Sequence, residues 1–217
     1  MLRRLPWLTL LLAATTLFVA CSGPWTAAWE FNRAALAEGQ LWRLLTGHFT
    51  HFNADHLRWD VLTFLLLGAV VEFRSRRQLA IGLASAGLTI SVGIWWLQPQ
   101  FANYRGLSGL DSALFALVAC QLIVYAQRHH DRLLLALGLG AGTGFFAKSA
   151  YELIAGQPVF APTSPDFSPM PLAHLLGALA GSIIGYAIRR PTARREATGA
   201  PKNIPISVPT APILDTR

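Results

Sequence analysis

Charge is scarce in this chain. Asp, Glu, Lys and Arg make up 13% of its 217 residues, where a soluble domain carries about a quarter. That shortage excludes an ordinary soluble enzyme or binding module. Cysteine is nearly absent as well: Cys21 and Cys120 are the two. They fall in opposite halves of their hydrophobic segments, so they do not form a disulfide framework. Internal repeats are lacking, which leaves out solenoids and propellers. The net charge of +7 raises nucleic acid as a partner, but no soluble basic patch interleaved with aromatics is there to bind it.

What the chain has instead is apolar residues in long blocks, 53% of the whole at a mean hydropathy of +0.41. A bilayer-spanning helix needs ~20 predominantly apolar residues. Six segments qualify as candidates: Leu5–Cys21, Asp55–Val71, Leu79–Leu97, Gly106–Ala126, Leu133–Ala155 and Pro171–Ile188. The second is short and opens on Asp55, His56, Arg58 and Asp60. The fold class expected is an all-α polytopic membrane protein, a bundle of six transmembrane helices over residues 1–190. Residues 191–217 are rich in Pro, Thr, Ala and charge without apolar periodicity, and read as a disordered tail.

The basic residues sort by segment. Arg3 and Arg4 precede the first, Arg74, Arg76 and Arg77 follow the second, Arg128 and Arg132 follow the fourth, and Arg189, Arg190, Arg194 and Arg195 follow the sixth. All of these places lie on one side of a six-span protein. By the positive-inside rule that side is the cytoplasm, with both termini in it. Met-Leu-Arg-Arg, an apolar run and Ala20-Cys21 imitate a lipoprotein signal. Phe18 fits such a cleavage site poorly and five more spans follow, so the first helix is read as uncleaved.

Among the loops, Ser22–Ala54 carries Trp25, Trp29 and Trp42, residues that favour the headgroup level. Phe31–Trp42 is read there as a short interfacial helix. His129 and His130 read as solvated residues of an inner turn. Gly156–Met170 is Pro-rich and reads as an irregular cap over the last helix.

Segments two, four and six each follow an outer loop, so their first turns share one depth. Ser108 is the third residue of the fourth segment and His174 the fourth of the sixth. His56 and Asp60 occupy the first two turns of the second. Ionisable groups inside a membrane are costly and usually face a cavity that does work. Gly177, Gly181 and Gly185 recur every four residues below His174, and Ser108, Ser112 and Ala116 do so in the fourth segment. Small residues at that interval let two helices approach closely, which brings Ser108 and His174 within hydrogen-bond reach. A serine with a histidine base is the minimum for nucleophilic acyl transfer, and with no evident third, carboxylate member it is a dyad. Taken singly, a small-Ser-small element is a packing motif and a lone histidine a satisfied polar group; their joint occurrence with the second-segment cluster favours catalysis.

A metal site would have to use His48, His51 and His56. His51 and His56 are five apart, not the i, i+4 spacing of a helical zinc pair, and no further ligand has metal-site spacing. No metal and no cofactor is expected, and His48 is assigned to a structural hydrogen-bond network. Asp111, one turn beyond Ser108, is likewise given a structural role.

These residues resemble the rhomboid family of intramembrane serine proteases. Gln40-Leu-Trp-Arg-Leu-Leu-Thr46 with Phe49-Thr-His51 is similar to the family's Trp-Arg loop, and His51, His56 and Asp60 to its second-helix pattern. Gly106-Leu-Ser-Gly109 resembles the nucleophile motif, and Ala173-His-Leu-Leu-Gly177 with Gly181 the motif of the histidine base. The likeness runs from Leu5 to Arg190. The resemblance implies that Ser108 attacks the scissile carbonyl, that His174 carries the proton, and that the oxyanion is held by the Ser108 N–H, His56 and residue 60, with His51 and Gly109 beside them. The family usually has asparagine where this chain has Asp60. An ionised Asp60 would repel an oxyanion; a protonated one would donate to it, and one behind His56 would hold that ring in a donating tautomer, which is the reading preferred here. The compact form and the Lys148–Glu152 pair resemble the bacterial rhombosortase subgroup, which implies removal of C-terminal Gly-Gly-type sorting helices from exported proteins. The expected protein is then an endopeptidase of single-span membrane proteins in a bacterial inner membrane, opening to the outer face. The competing reading is a catalytically silent relative that binds transmembrane helices, and a third is a metal-dependent hydrolase on the second-segment histidines.

Overall fold

The computed structural model of the chain describes residues 5–156, 159 and 170–187. In chain order the helices are α1 (Trp7–Ala20), α2 (Gly23–Trp29), α3 (Arg33–Ala37), α4 (Arg43–Thr46), α5 (Ala54–Arg74), α6 (Arg76–Leu97), α7 (Ser108–Arg128), α8 (Arg132–Ala155) and α9 (Pro171–Ala187). Among the described residues every predicted hydrophobic segment is helical, and the all-α reading holds apart from a two-residue antiparallel pairing of β1 (Phe31–Asn32) with β2 (Asn103–Tyr104).

The helix ends follow local chemistry. Asn53, Ser75 and Asp131 cap α5, α6 and α8 by accepting the amide hydrogens of His56, Gln78 and Leu134. Such side chains serve N–H groups that have no partner inside the helix. Gly156 closes α8 at a left-handed φ of 68°, a conformation glycine adopts without penalty.

By length and composition α6, α7 and α8 are able to cross a membrane, and α1 with α2 makes a fourth if that pair, bent by 113°, is one broken span. The six expected spans are therefore six helices, of which three or four meet this test. At 1.5 Å per residue α1, with 14 residues, reaches only about 21 Å. α5 has 21 residues but carries charged groups in its first and last turns.

The long loop departs from expectation. Phe31–Trp42 is not one helix: after β1 only Arg33–Ala37 is helical, and the chain then turns through Gly39 at a φ of 91°. Asn32 starts that short helix by accepting from the Ala35 amide. The Pro-rich cap expected within Gly156–Met170 and the tail over 191–217 fall largely or wholly outside the described residues.

α7 is the central helix, packed against α5, α6, α8 and α9, with Leu110, Ala113, Leu114 and Leu117 buried. Its contact with α9 is backbone on backbone. A Cβ at Gly177 would strike the Gly109 carbonyl oxygen, and one at Gly181 the carbonyl oxygen of Ala113. The stripe on α7 is accordingly Gly109 and Ala113, one residue on from the Ser108, Ser112 and Ala116 expected. Ser112 instead donates to the Ser108 carbonyl at 2.7 Å.

At the other end of the bundle Glu72 of α5 ties three helices together. It accepts from the amides of Leu8 (3.0 Å) and Thr9 (2.7 Å), from the Thr9 hydroxyl (2.8 Å) and from Arg76 Nε (2.8 Å). A carboxylate at the start of α1 both satisfies its free N–H groups and complements the helix dipole.

Gly177→Ala should separate α7 from α9 and cost about 1–3 kcal/mol, as overpacking does. Gly140→Ala, in the interior of α8 where a Cβ meets nothing within 4 Å, should keep or raise stability, by up to ~1 kcal/mol. Thermal unfolding in detergent compares the two directly.

Candidate active site

Ser108 is the first residue of α7 and His174 lies in the first turn of α9. The close crossing just below them sets their distance, and His174 Nε2 stands 3.1 Å from Ser108 Oγ. With the hydroxyl donating, Nε2 accepts and the ring carries its hydrogen on Nδ1. That is the arrangement of a nucleophile and its base. Among the described residues no carboxylate is within ion-pair distance of His174.

The second-helix cluster comes to the same place. Asp60 is buried, and its Oδ2 lies 3.1 Å from the Ser108 amide nitrogen, 3.1 Å from His51 Nε2 and 3.2 Å from His56 Nε2. Leu107 at the start of α7 supplies no side-chain cap, so Asp60 reaches across from α5 to serve that end. The structure thus brings together Ser108, His174, His51, His56 and Asp60. Gly109 sits beside them at the helix crossing, where a Cβ would stand 3.3 Å from the Ala173 carbonyl oxygen.

His48 is elsewhere. Its Nε2 faces the Gly87 carbonyl at 3.1 Å and Ser91 Oγ at 3.2 Å, while Ser91 donates to the Leu44 carbonyl at 2.5 Å. Complete burial holds its pKa down to about 4, so it is a neutral strut in the expected structural network. Asp111 is buried in α7, and its Oδ1 has no hydrogen-bond partner among the described residues. Lys148 and Glu152 pair at 2.9 Å, and Glu152 also accepts the Val159 amide at 2.8 Å.

Several contributors were not legible in the sequence. Gly106 has a φ of 128°, and a Cβ there would stand 2.7 Å from His56 Cε1 and 3.3 Å from Asp60 Oδ2. Its place in the Gly106-Leu-Ser-Gly109 motif was the available signal. Phe52 stacks on His56 with ring centroids 6.4 Å apart, and the Arg105 guanidinium lies 5.1 Å from the Phe52 centroid. Arg105 is held by Glu30 at 2.6 Å, a partner 75 residues away that no local pattern announces. Arg43, in the Trp-Arg loop, donates to the Ala27 and Glu30 carbonyls, each at 2.9 Å, and to Gln40 Oε1 at 2.8 Å.

Comparison with known proteins gives the same direction. The family described as Rhomboid domain matches residues 38–191. The chain is 28% identical over 171 residues to "Rhomboid protease GlpG" of Yersinia pestis (strain Pestoides F), and equally to that of Yersinia pseudotuberculosis serotype O:3 (strain YPIII). These matches cover 77% of this chain and 54% of each relative, so the chain spans about half the length of the curated relatives it matches.

Gly106→Ala and Gly156→Ala both place a side chain at positive φ, a strain of about 1–2 kcal/mol. Only at Gly106 does the new methyl also meet a ring. Gly106→Ala should therefore lower the unfolding temperature more than Gly156→Ala, measured side by side in detergent.

Proposed function

The chain belongs to the rhomboid family, and on that premise we propose that it is an intramembrane serine endopeptidase working through a Ser108–His174 dyad. The observation that carries this reading is the 3.1 Å contact between Ser108 Oγ and His174 Nε2 at the first turns of two helices held together backbone to backbone. As Ser108 Oγ bonds to the scissile carbonyl carbon, its proton passes to His174 Nε2. The imidazolium returns that proton to the leaving amine, and water, activated by the same ring, then releases the acyl group from Ser108. The carbonyl oxygen is received at the Ser108 amide, with His56 as the neighbouring donor.

Substrates in this reading are single-span membrane proteins whose helix unwinds locally to present a peptide bond. The finer assignment is to the rhombosortase subgroup and its C-terminal Gly-Gly-type sorting helices, supported by the Lys148–Glu152 pair. The distribution of arginines supports six spans in a bacterial inner membrane, with both termini cytoplasmic and the Ser108 end at the outer face.

Purified protein should label with a fluorophosphonate, and Ser108→Ala and His174→Ala should each abolish labelling. Cleavage of a single-span reporter in liposomes should fall by at least about 10³-fold in both variants and be indifferent to a chelator. Absence of labelling in the wild type, beside a rhomboid protease that does label, would leave the helix-binding, non-cleaving reading. Chelator-sensitive cleavage that survives Ser108→Ala would move the chemistry to the histidines of α5 and its approach loop.

A further inference from the structure

Three nitrogens meet at one oxygen in this site. Asp60 Oδ2 lies 3.1 Å from the Ser108 amide, 3.1 Å from His51 Nε2 and 3.2 Å from His56 Nε2. A side-chain oxygen facing the Ser108 N–H accepts from it, whatever its sister oxygen carries. An oxyanion pocket is this arrangement, donors 2.7–3.1 Å from the point where the oxygen of a tetrahedral intermediate will stand. Here the oxygen at that point belongs to the protein.

A substrate carbonyl attacked by Ser108 Oγ must bring its own oxygen to the same amide. Two oxygens cannot occupy one position, and two acceptors facing each other repel. The His56 ring crowds the same point, since its Nε2 stands 3.2 Å from that oxygen.

We propose that the Asp60 carboxylate is the resting occupant of the oxyanion pocket, and that acylation of Ser108 requires it to withdraw and hand the Ser108 N–H group to the substrate carbonyl oxygen. This rests on the serine-protease reading above. His51 is the donor that travels with it. That ring sits on the loop before α5, and among the described residues its hydrogen bond is to Asp60. Asp60 is then a group that touches the reacting atoms, by leaving them. A substrate that engages the site strongly enough to displace it is turned over, and one that does not is spared.

The test is the rate at which a fluorophosphonate modifies the purified full chain. In that step the Ser108 Oγ–P bond forms, the P–F bond breaks, fluoride departs and the serine proton goes to His174. One oxyanion donor is worth ~10²–10³ in rate, and part of that gain is lost to histidines left without their carboxylate, so Asp60→Asn should label about tenfold faster than wild type. Asp60→Ala, which removes the carboxylate and offers no donor, should also exceed wild type, with Asp60→Ser used if the alanine variant does not fold; unfolding temperatures check each. Asp60→Asn at or below the wild-type rate overturns the proposal, as does a gain in Asp60→Asn with a loss in the alanine or serine variant, because the added donor alone would then explain the gain. Labelling of no variant, wild type included, overturns the nucleophile reading and this inference with it, whereas wild-type labelling abolished by Ser108→Ala keeps the nucleophile in place while the Asp60 variants decide the rest.

Discussion

Two helix backbones in contact set the distance on which the site depends. Ser108 and His174 both sit on first turns, and a serine side chain reaches only a short way from its helix. A 3.1 Å contact is possible because α9 presents Gly177 to Gly109 and Gly181 to Ala113 with no side chain between the backbones. Lipid supplies little hydrophobic force between helices, so close packing and polar contacts must hold them. Ile90 of α6 fills the space behind the seam, close against both Gly109 and Gly177. Glycine loses no rotamer freedom on packing, and the seam therefore holds Ser108 against His174 with little opposing side-chain entropy.

A second constraint is the loop between α1 and α5, from which two arginines reach backbone carbonyls, one beyond the loop and one within it. Arg33 donates to the carbonyls of Ile94, Trp95, Gln98 and Phe101 at 2.9–3.2 Å, serving the end of α6 and the turn beyond it. Arg43 gathers Ala27, Glu30 and Gln40. A guanidinium offers five N–H groups in a rigid fork and an ammonium three on one atom, so these positions are suited to arginine. The same loop pairs Phe31 with Tyr104, and it thereby fixes the strand that leads through Gly106 into Ser108. The loop is a wall of the site as much as a connection.

This division explains what was legible in the sequence. Helix positions were, because apolar runs are local. The meeting of Ser108 with His174 was, because glycines every four residues declare a close-packed face. The register was not: Ser108, Ser112 and Ala116 and their neighbours Gly109 and Ala113 are both small stripes, adjacent on α7, and spacing alone does not choose between them. The break in the helix expected over Phe31–Trp42 depends on a pairing with residues about 70 positions away, and the Glu30–Arg105 bridge is equally remote. Three or four of the six helices pass as spans by length and apolarity, because α1 is short and α5 carries charge at both ends. Asp60 was visible as a departure from the family's pattern; which hydrogens it takes is a property of three elements assembled.

Those hydrogens belong to a general problem of nucleophiles at helix starts. A serine at the first position of a helix offers its own amide to the oxyanion, and the helix dipole strengthens that donor. An N–H good enough to stabilise a transition state is also one that must not be left bare at rest, since a buried donor without a partner costs about 1–3 kcal/mol. An open aqueous cleft solves this with water, which a substrate displaces cheaply. In this chain the partner is a carboxylate on α5, one turn beyond His56 and hydrogen-bonded to His51. Such an acceptor ties α5 to α7 and stabilises the resting fold through the amide that the proposed acylation would use. On that proposal stability and turnover draw on one hydrogen bond, the opposition between stable sites and active ones reduced to a single oxygen.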